Sequence, residues 1–232
     1  MSEISAAQSM ASEIEALGEQ TRLALQRYEA VFPALGQAMA GEITSHDTLA
    51  DAALAVMAIA DAAAAAFMAH FPNSPVLACR AGCDACCHLY VMVPPGVAEA
   101  IARHLVAHLA PPAIAALKTE LQKAVDAAQG LPDPSKLHYR CPLLGIDGLC
   151  TVYEVRPLTC RAFTSKSAAA CRSLVFDPRS PVASIPQNPS SFAVYVEATK
   201  ALEGAARTRG LPSRQRSLPA ALLEVLSGLD AT

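Results

Sequence analysis

The sequence predicts a mainly α-helical protein in which five or six helices pack around two irregular cysteine-bearing loops, with at most short strands. Three observations predict this class. Hydrophobic residues make up 53% of the 232 residues and charged residues only 17%, which supports a substantial core. Apolar positions recur at helical spacing in several segments. All eight cysteines fall in two groups, at residues 79–87 and 141–171.

The chain begins with a predicted amphipathic helix at residues 5–30. Its larger apolar side chains stand among Glu, Gln and Arg at spacings compatible with a helix. They are Ile14, Leu17, Leu23, Leu25 and Tyr28. We expect Pro33 and Gly36 to interrupt this helix, because proline removes a helical hydrogen bond and glycine is a weak helix former.

A second helix is predicted to start near Ser45 or Asp47, whose side chains can cap backbone N–H groups, and to end near His70 before a break at residues 71–75. Its alanine-rich sequence is the most membrane-like part of the chain. Two aspartates interrupt it, so we interpret it as a buried bundle helix rather than a membrane span. The N-terminus lacks the features of a secretory signal, and we expect a cytoplasmic protein.

Prolines mark the start of further helices. The prolines at 94–95 stand at the start of one predicted helix, and those at 111–112 divide it from the next, at about 113–129. Two more helices fit residues 190–209 and 219–229. This pattern completes the five or six helices.

The second cysteine group lies in residues 138–172, which we expect to be loop-rich with at most short strands, such as one at LCTVY. A helical pair of about fifty residues separates the two groups and can bring them together in space. The predicted organisation is an N-terminal helical segment at 1–75 and a cysteine-rich metal-binding region at 76–175. A C-terminal helical segment at 176–232 is expected to pack on the same domain.

The cysteine spacing indicates a metal site. In a reducing cytosol, grouped thiols in a chain with its own core are more often metal ligands or redox groups than disulfides. The first group, C-x-x-x-C-x-x-C-C, begins with the spacing of radical S-adenosylmethionine enzymes. The second group lacks the C-x-x-C knuckles usual for zinc, so spacing favours an iron–sulfur cluster over zinc. The candidate ligands are Cys79, Cys83, Cys86, Cys87, Cys141, Cys150, Cys160 and Cys171.

Basic residues accompany the second cysteine group, although the formal net charge of the chain is −3. Cations lower thiol pKa values and offset the charge of a multi-thiolate centre. We expect Arg156 and Arg161 to orient the loops or to compensate that charge. The acidic balance argues against a nucleic-acid partner, because such binders need a clustered basic surface.

The two motifs together resemble the YkgJ-type CxxCxxCC family of zinc- or iron-chelating proteins. The resemblance rests on CRAGCDACC and CPLLGIDGLCTVYEVRPLTCRAF and covers about residues 76–172. It implies metal chelation by the motif cysteines, with Tyr153, Arg156, Pro157 and Arg161 as the other members of the motif. A related enzyme, the flagellin lysine N-methylase, shares this type of motif, so the resemblance also implies that some members are iron–sulfur methyltransferases.

Three functions stay open on the sequence. The first is a metal-binding protein with one centre made by both cysteine groups. The second is an iron–sulfur-dependent methyltransferase or redox enzyme, although the mostly helical pattern does not suit a radical-enzyme barrel. The third is metal storage or delivery, which needs accessible thiols. The expected partners are a metal ion or cluster and a further protein, without nucleic acid or membrane.

Overall fold

The computed structural model describes residues 2–70, 76–182, 184–185 and 187–229 and is mainly helical, which confirms the predicted class. The α-helices of these residues are α1 (Ser2–Ile43), α2 (Leu49–His70), α3 (Val97–His108), α4 (Pro111–Ala128), α5 (Leu158–Ala162), α6 (Ala168–Phe176), α7 (Pro189–Thr208) and α8 (Leu218–Leu229). Strands β1 (Met92–Val93) and β2 (Arg216–Ser217) pair antiparallel. The predicted break at 71–75 lies outside the described residues.

The core forms between two sets of helices that meet where α2 packs against α3. Helix α2 packs against α1, α7 and α3, while α8 packs against α3 and α4. Three aromatic rings pack between α1 and α2. Phe32 stacks on Phe67 with 5.4 Å between ring centroids, and Tyr28 contacts Phe32 edge-on at 5.2 Å. The Tyr28 hydroxyl lies 2.7 Å from the hydroxyl of Ser190 at the start of α7. These contacts fix α1 and α7 on α2.

The expected interruption of the first helix at Pro33 and Gly36 is wrong, because α1 continues through both residues to Ile43. Packing outweighs the lost hydrogen bond, since the second half of α1 lies against α2 and α7. Gly36 contributes to that packing. A Cβ atom there would stand 2.9 Å from Oε2 of Glu197, so the missing side chain lets α1 approach α7 closely.

The start of α2 also differs from the prediction. The cap is Thr48, whose hydroxyl accepts a hydrogen bond from the backbone N–H of Asp51 at 3.1 Å, rather than Ser45 or Asp47. The Ser45 hydroxyl instead donates to the carbonyl of Glu42 and belongs to the end of α1. Ser45, Asp47 and Thr48 can all cap a helix. Which of them does so depends on where tertiary packing starts α2, and the sequence alone does not reveal this.

Helix α2 is the one described helix long and apolar enough, by length and composition, to cross a membrane. In the structure it is an inner helix of the bundle. Its buried residues face α1, α3 and α7. They are Ala50, Ala52, Ala53, Val56, Met57, Ala60, Ala64 and Phe67.

The number of helices exceeds the prediction because α5 and α6 form inside the segment expected to be loop. Pro157 precedes α5, and the hydroxyl of Ser167 caps α6 by accepting from the N–H of Ala170 at 3.1 Å. The strand expected at LCTVY is reduced to one bridge between Leu144 and Cys150. Tyr153, the last residue of this stretch, begins a 3₁₀ helix that ends at Val155. Pro157 then follows, and it has no N–H to donate to a neighbouring strand.

Replacing Gly96 by alanine should destabilise the protein by at least about 2 kcal/mol, measured by urea denaturation. Gly96 precedes α3 with φ of 87°, and an added Cβ would lie 2.2 Å from the carbonyl oxygen of Leu49 at the start of α2. Gly41→Ala is the control, because Gly41 is helical with open space around it and alanine there should stabilise α1. Equal effects of the two changes would contradict this close approach.

Candidate metal centre

The first cysteine group is a tight turn followed by a short helix. Gly82 has φ of 78°, and the N–H of Cys83 donates to the carbonyl of Arg80 at 3.0 Å. A 3₁₀ helix, Ala85–His88, then carries Cys86 and Cys87. Although adjacent side chains in such a turn project in different directions, the thiols of Cys86 and Cys87 stay within hydrogen-bonding distance of each other.

Backbone hydrogen bonds attach the second cysteine group to the first. The N–H of Cys141 donates to the carbonyl of Cys87 at 2.7 Å, and the N–H of Tyr139 donates to the carbonyl of His88 at 2.9 Å. A short hairpin then brings Cys150 back beside Leu144. Residues 85–88, 139–141 and 150 therefore form one compact unit.

Two short helices carry the remaining downstream cysteines. Cys160 lies in α5, where the Thr159 hydroxyl donates to the carbonyl of Met92 in β1 at 2.6 Å. Cys171 lies in α6, buried in a small apolar cluster with Ala85. The chain before α6 also pairs with the start of the first group, because the N–H of Ser165 donates to the sulfur of Cys79 at 3.3 Å.

The thiols of Cys86, Cys87, Cys141, Cys150 and Cys160 form an inner group. Burial, together with the neighbouring thiols of Cys150 and Cys86, raises the pKa of Cys141 to about 11. Burial also raises the pKa of Cys160, with Cys141, Cys86 and Cys150 as its thiol neighbours. A hydrogen bond with the Cys87 thiol, together with burial, raises the pKa of Cys86. Neighbouring negative charge disfavours each thiolate, so a cation placed among them would favour it.

The thiols of Cys79, Cys83 and Cys171 form an outer group that adjoins the inner one through Cys86. Burial raises the pKa of Cys83, and its thiol neighbours are Cys79, Cys86 and Cys171. Cys79 is exposed whereas Cys171 is buried. The structure thus divides the eight cysteines differently from their order along the chain, since Cys171 neighbours the first two cysteines.

Arg156 provides positive charge to the inner group. Its guanidinium lowers the pKa of Cys86, Cys150 and Cys160 against the larger effect of burial. The ring of Tyr153 lies 4.8 Å from the guanidinium carbon. Nε of Arg156 is buried and has no hydrogen-bond partner among the described residues. A buried donor without an acceptor is costly, so an acceptor such as a thiolate or a cluster sulfide would suit this position.

Arg161 orients the loop, and its positive charge also lowers the pKa of Cys150 against the larger effect of burial. Its side chain is 10% exposed and forms an ion pair with Asp61 of α2. It donates to the carbonyl of Arg156 through Nε and to the carbonyl of Glu154 through Nη2, each at 2.6 Å. One guanidinium therefore fixes the turn before α5 on the bundle.

Sequence reasoning missed two residues of this arrangement, Asp61 and Tyr195. The Tyr195 hydroxyl in α7 donates to Oδ1 of Asp61 at 2.7 Å. Burial and this hydrogen bond raise the pKa of Tyr195, which keeps it a neutral donor. Both residues are distant in sequence from Arg161. The signal available in the sequence was an aspartate in the middle of an apolar helix, where a carboxylate needs a partner.

Within the described part of the chain, no set of three or more His, Cys, Asp or Glu side chains is already arranged around a common metal position. His88 does not point to the thiols, since its Nδ1 lies 3.2 Å from the carbonyl of Asp84 and its ring packs edge-on against Phe176 at 4.9 Å. The donors that surround Arg156 are therefore thiols. Their number and type suit soft, thiophilic metals.

This fold and site define a class, a helical protein with a cysteine-rich face suited to metal chelation. Residues 78–177 match the model of the family described as "CxxCxxCC: Putative zinc- or iron-chelating domain". The match spans both cysteine groups and confirms the resemblance. Comparison with curated proteins and with solved structures finds no match.

Replacing Asp61 by asparagine should lower the free energy of unfolding by about 1–2 kcal/mol, because Arg161 would lose a charged hydrogen-bond partner in a largely buried position. Urea denaturation measures the change. The matched control is Asp51→Asn, also in α2, whose ion pair with Arg103 is exposed on both sides and should contribute less than about 1 kcal/mol. A loss no greater than the control's would show that Arg161 does not depend on Asp61.

In metal-free, reduced protein at neutral pH, Cys79 should react with iodoacetamide faster than Cys86, Cys141 and Cys160. The thiolate is the reactive form, Cys79 is exposed, and the other three have raised pKa values. Raising the pH toward 11 should accelerate Cys141, whose pKa is about 11. Mass spectrometry of peptides measures each rate, and uniform rates at all four cysteines would refute the inner group.

Proposed function

We propose that this protein binds a metal through thiolates from both cysteine groups, with an iron–sulfur cluster preferred and zinc as the alternative. The observation that carries the proposal is the inner group, in which residues distant in sequence bring five thiols together and place those of Cys86, Cys150 and Cys160 near Arg156, whose Nε is buried. Metal binding by the matched domain is what its family description indicates. The family description names zinc or iron without choosing between them, and the preference for an iron–sulfur cluster is our proposal.

The inner group favours a cluster over a single zinc ion on two grounds. Five thiols exceed the four ligands of a tetrahedral zinc site, and a cluster accommodates cysteines spread over a larger object. In addition, the free Nε–H of Arg156 is a donor of the kind that bonds cluster sulfur and tunes its charge. The outer thiols of Cys79, Cys83 and Cys171 would complete the ligand set or hold a second ion.

Proton release is part of the proposed binding. The pKa values of Cys86, Cys141 and Cys160 lie above the usual thiol value in the absence of metal, so these groups are protonated at neutral pH. Each of these thiols therefore releases its proton when it becomes a thiolate ligand of the metal, and the apparent affinity for metal rises with pH. The metal also replaces mutual repulsion among thiolates by attraction, which brings the side chains toward a common point.

Metal delivery is a second candidate, favoured by one observation. Cys79 is exposed at the edge of the outer group, where an incoming ligand can reach its sulfur. Stepwise transfer between proteins requires an accessible thiol of this kind. The methyltransferase or redox alternative stays a prediction of the resemblance. We expect either role in the cytoplasm, whose reducing poise keeps the thiols free.

Anaerobic purification should yield protein that contains iron and acid-labile sulfide and absorbs broadly near about 400 nm. Replacing Cys141 or Cys150 by serine should abolish most of the bound metal, because both belong to the inner group. Cys79→Ser should retain most of it, since Cys79 lies at the exposed edge. Metal and sulfide analysis of the three variants measures this.

Colourless protein that contains stoichiometric zinc would contradict the iron–sulfur cluster and support zinc as the bound metal. Full metal content in Cys141→Ser and Cys150→Ser would contradict the inner group as the site. For the wild-type protein, affinity measured by competition with a chelator should fall as pH decreases from 8 to 6, because protons compete for the thiolates. A pH-independent affinity would contradict thiolate ligation.

A further inference from the structure

The first half of α1 projects from the helix bundle. Every residue from Met10 to Arg27 is exposed, which corresponds to about 27 Å of helix. Several of the exposed side chains are large and apolar, with exposures of 64% at Ile14, 61% at Leu17 and 55% at Leu25. Helices gain most of their stability by packing an apolar face, and contiguous exposed apolar side chains mark an interaction surface.

The exposed side chains continue the face that α1 uses inside the bundle. Tyr28, Phe32 and Leu35 pack against the core, and Met39 and Ile43 are buried in it. Counting back from Tyr28 at alternating steps of four and three residues reaches the positions that we call the α1 row. The α1 row consists of Met10, Ile14, Leu17, Thr21 and Ala24. A packing face therefore extends beyond the helices that cover its second half.

We propose that the α1 row binds the α1 row of a second copy of this chain, with the two helices antiparallel. Size favours this arrangement. In an antiparallel pair, Ile14 meets Ala24 of the second copy and Leu17 meets Thr21 of the second copy. At the centre of one flank, Gly18 meets Gly18 of the second copy, which allows close approach of the backbones. Large side chains thus face small ones in the layers formed by residues 14–24.

Charge fixes the direction of the pair. Glu13, Gln20 and Arg27 follow one flank of the α1 row at seven-residue intervals. When the helices run antiparallel about Gln20, Glu13 faces Arg27 of the second copy, and two-fold symmetry forms the same pair again. A parallel pair would instead place Glu13 beside Gly18, where no opposite charge is available. The charges therefore favour the antiparallel dimer.

Sedimentation equilibrium of the full chain tests the proposal. The wild-type protein should show a concentration-dependent dimer. Glu13→Arg and Arg27→Glu should each weaken the dimer by about tenfold, because both symmetry-related pairs become repulsive. An equimolar mixture of the two single variants should form a heterodimer, since one chain then carries two arginines and the other two glutamates at the facing positions.

Glu15→Arg is the control, because it makes the same charge change in the same helix on the side that faces away from the α1 row, and it should leave dimerisation unchanged. Circular dichroism of each variant confirms that α1 remains helical. Wild-type protein that is monomeric at all concentrations would overturn the proposal, whether or not α1 binds another protein or lipid vesicles. A dimer that tolerates both reversals, or single variants that do not associate on mixing, would equally overturn the antiparallel register.

Discussion

The ion pair between Asp61 and Arg161 is the interaction on which the rest of the site depends. Asp61 belongs to the inner helix of the bundle, and Arg161 directly follows Cys160 in α5. Through its other nitrogens the same guanidinium fixes the carbonyls of Glu154 and Arg156. A loop-rich segment could adopt many conformations. The Arg161 side chain restricts it by attaching residues 154, 156 and 161 to α2.

The cysteine region uses backbone pairing where the bundle uses apolar packing. The hydrogen bonds from the N–H of Cys141 to the carbonyl of Cys87 and from the N–H of Ala78 to the carbonyl of Ser165 hold together segments that are far apart in sequence. They leave the thiols partly buried and close enough to raise one another's pKa values. This is an electrostatic cost in the absence of metal, and a bound cation would reverse its sign. The free energy of folding therefore holds the thiols close together, and this arrangement increases the affinity for metal.

The sequence predicted the long elements well and the short ones poorly. Helices α2, α3, α4, α7 and α8 follow from apolar periodicity and proline positions, and their ends lie near the expected residues. Local propensity misled at Pro33, where tertiary packing keeps α1 helical. Helices α5 and α6 are too short for periodicity to reveal. For the site, cysteine spacing indicated the metal chemistry, but Asp61 and Tyr195 contribute through contacts that span 100 and 134 residues and leave no local pattern.

The central claim is that thiolates from both cysteine groups hold the metal. X-ray absorption spectroscopy of the metal-loaded protein tests it most directly, because the first coordination shell reports ligand type and distance. The account predicts a shell of sulfur atoms at about 2.3 Å, and loss of sulfur scatterers when Cys141 is replaced by serine. A shell of nitrogen and oxygen atoms alone, at about 2.0–2.1 Å, would contradict it.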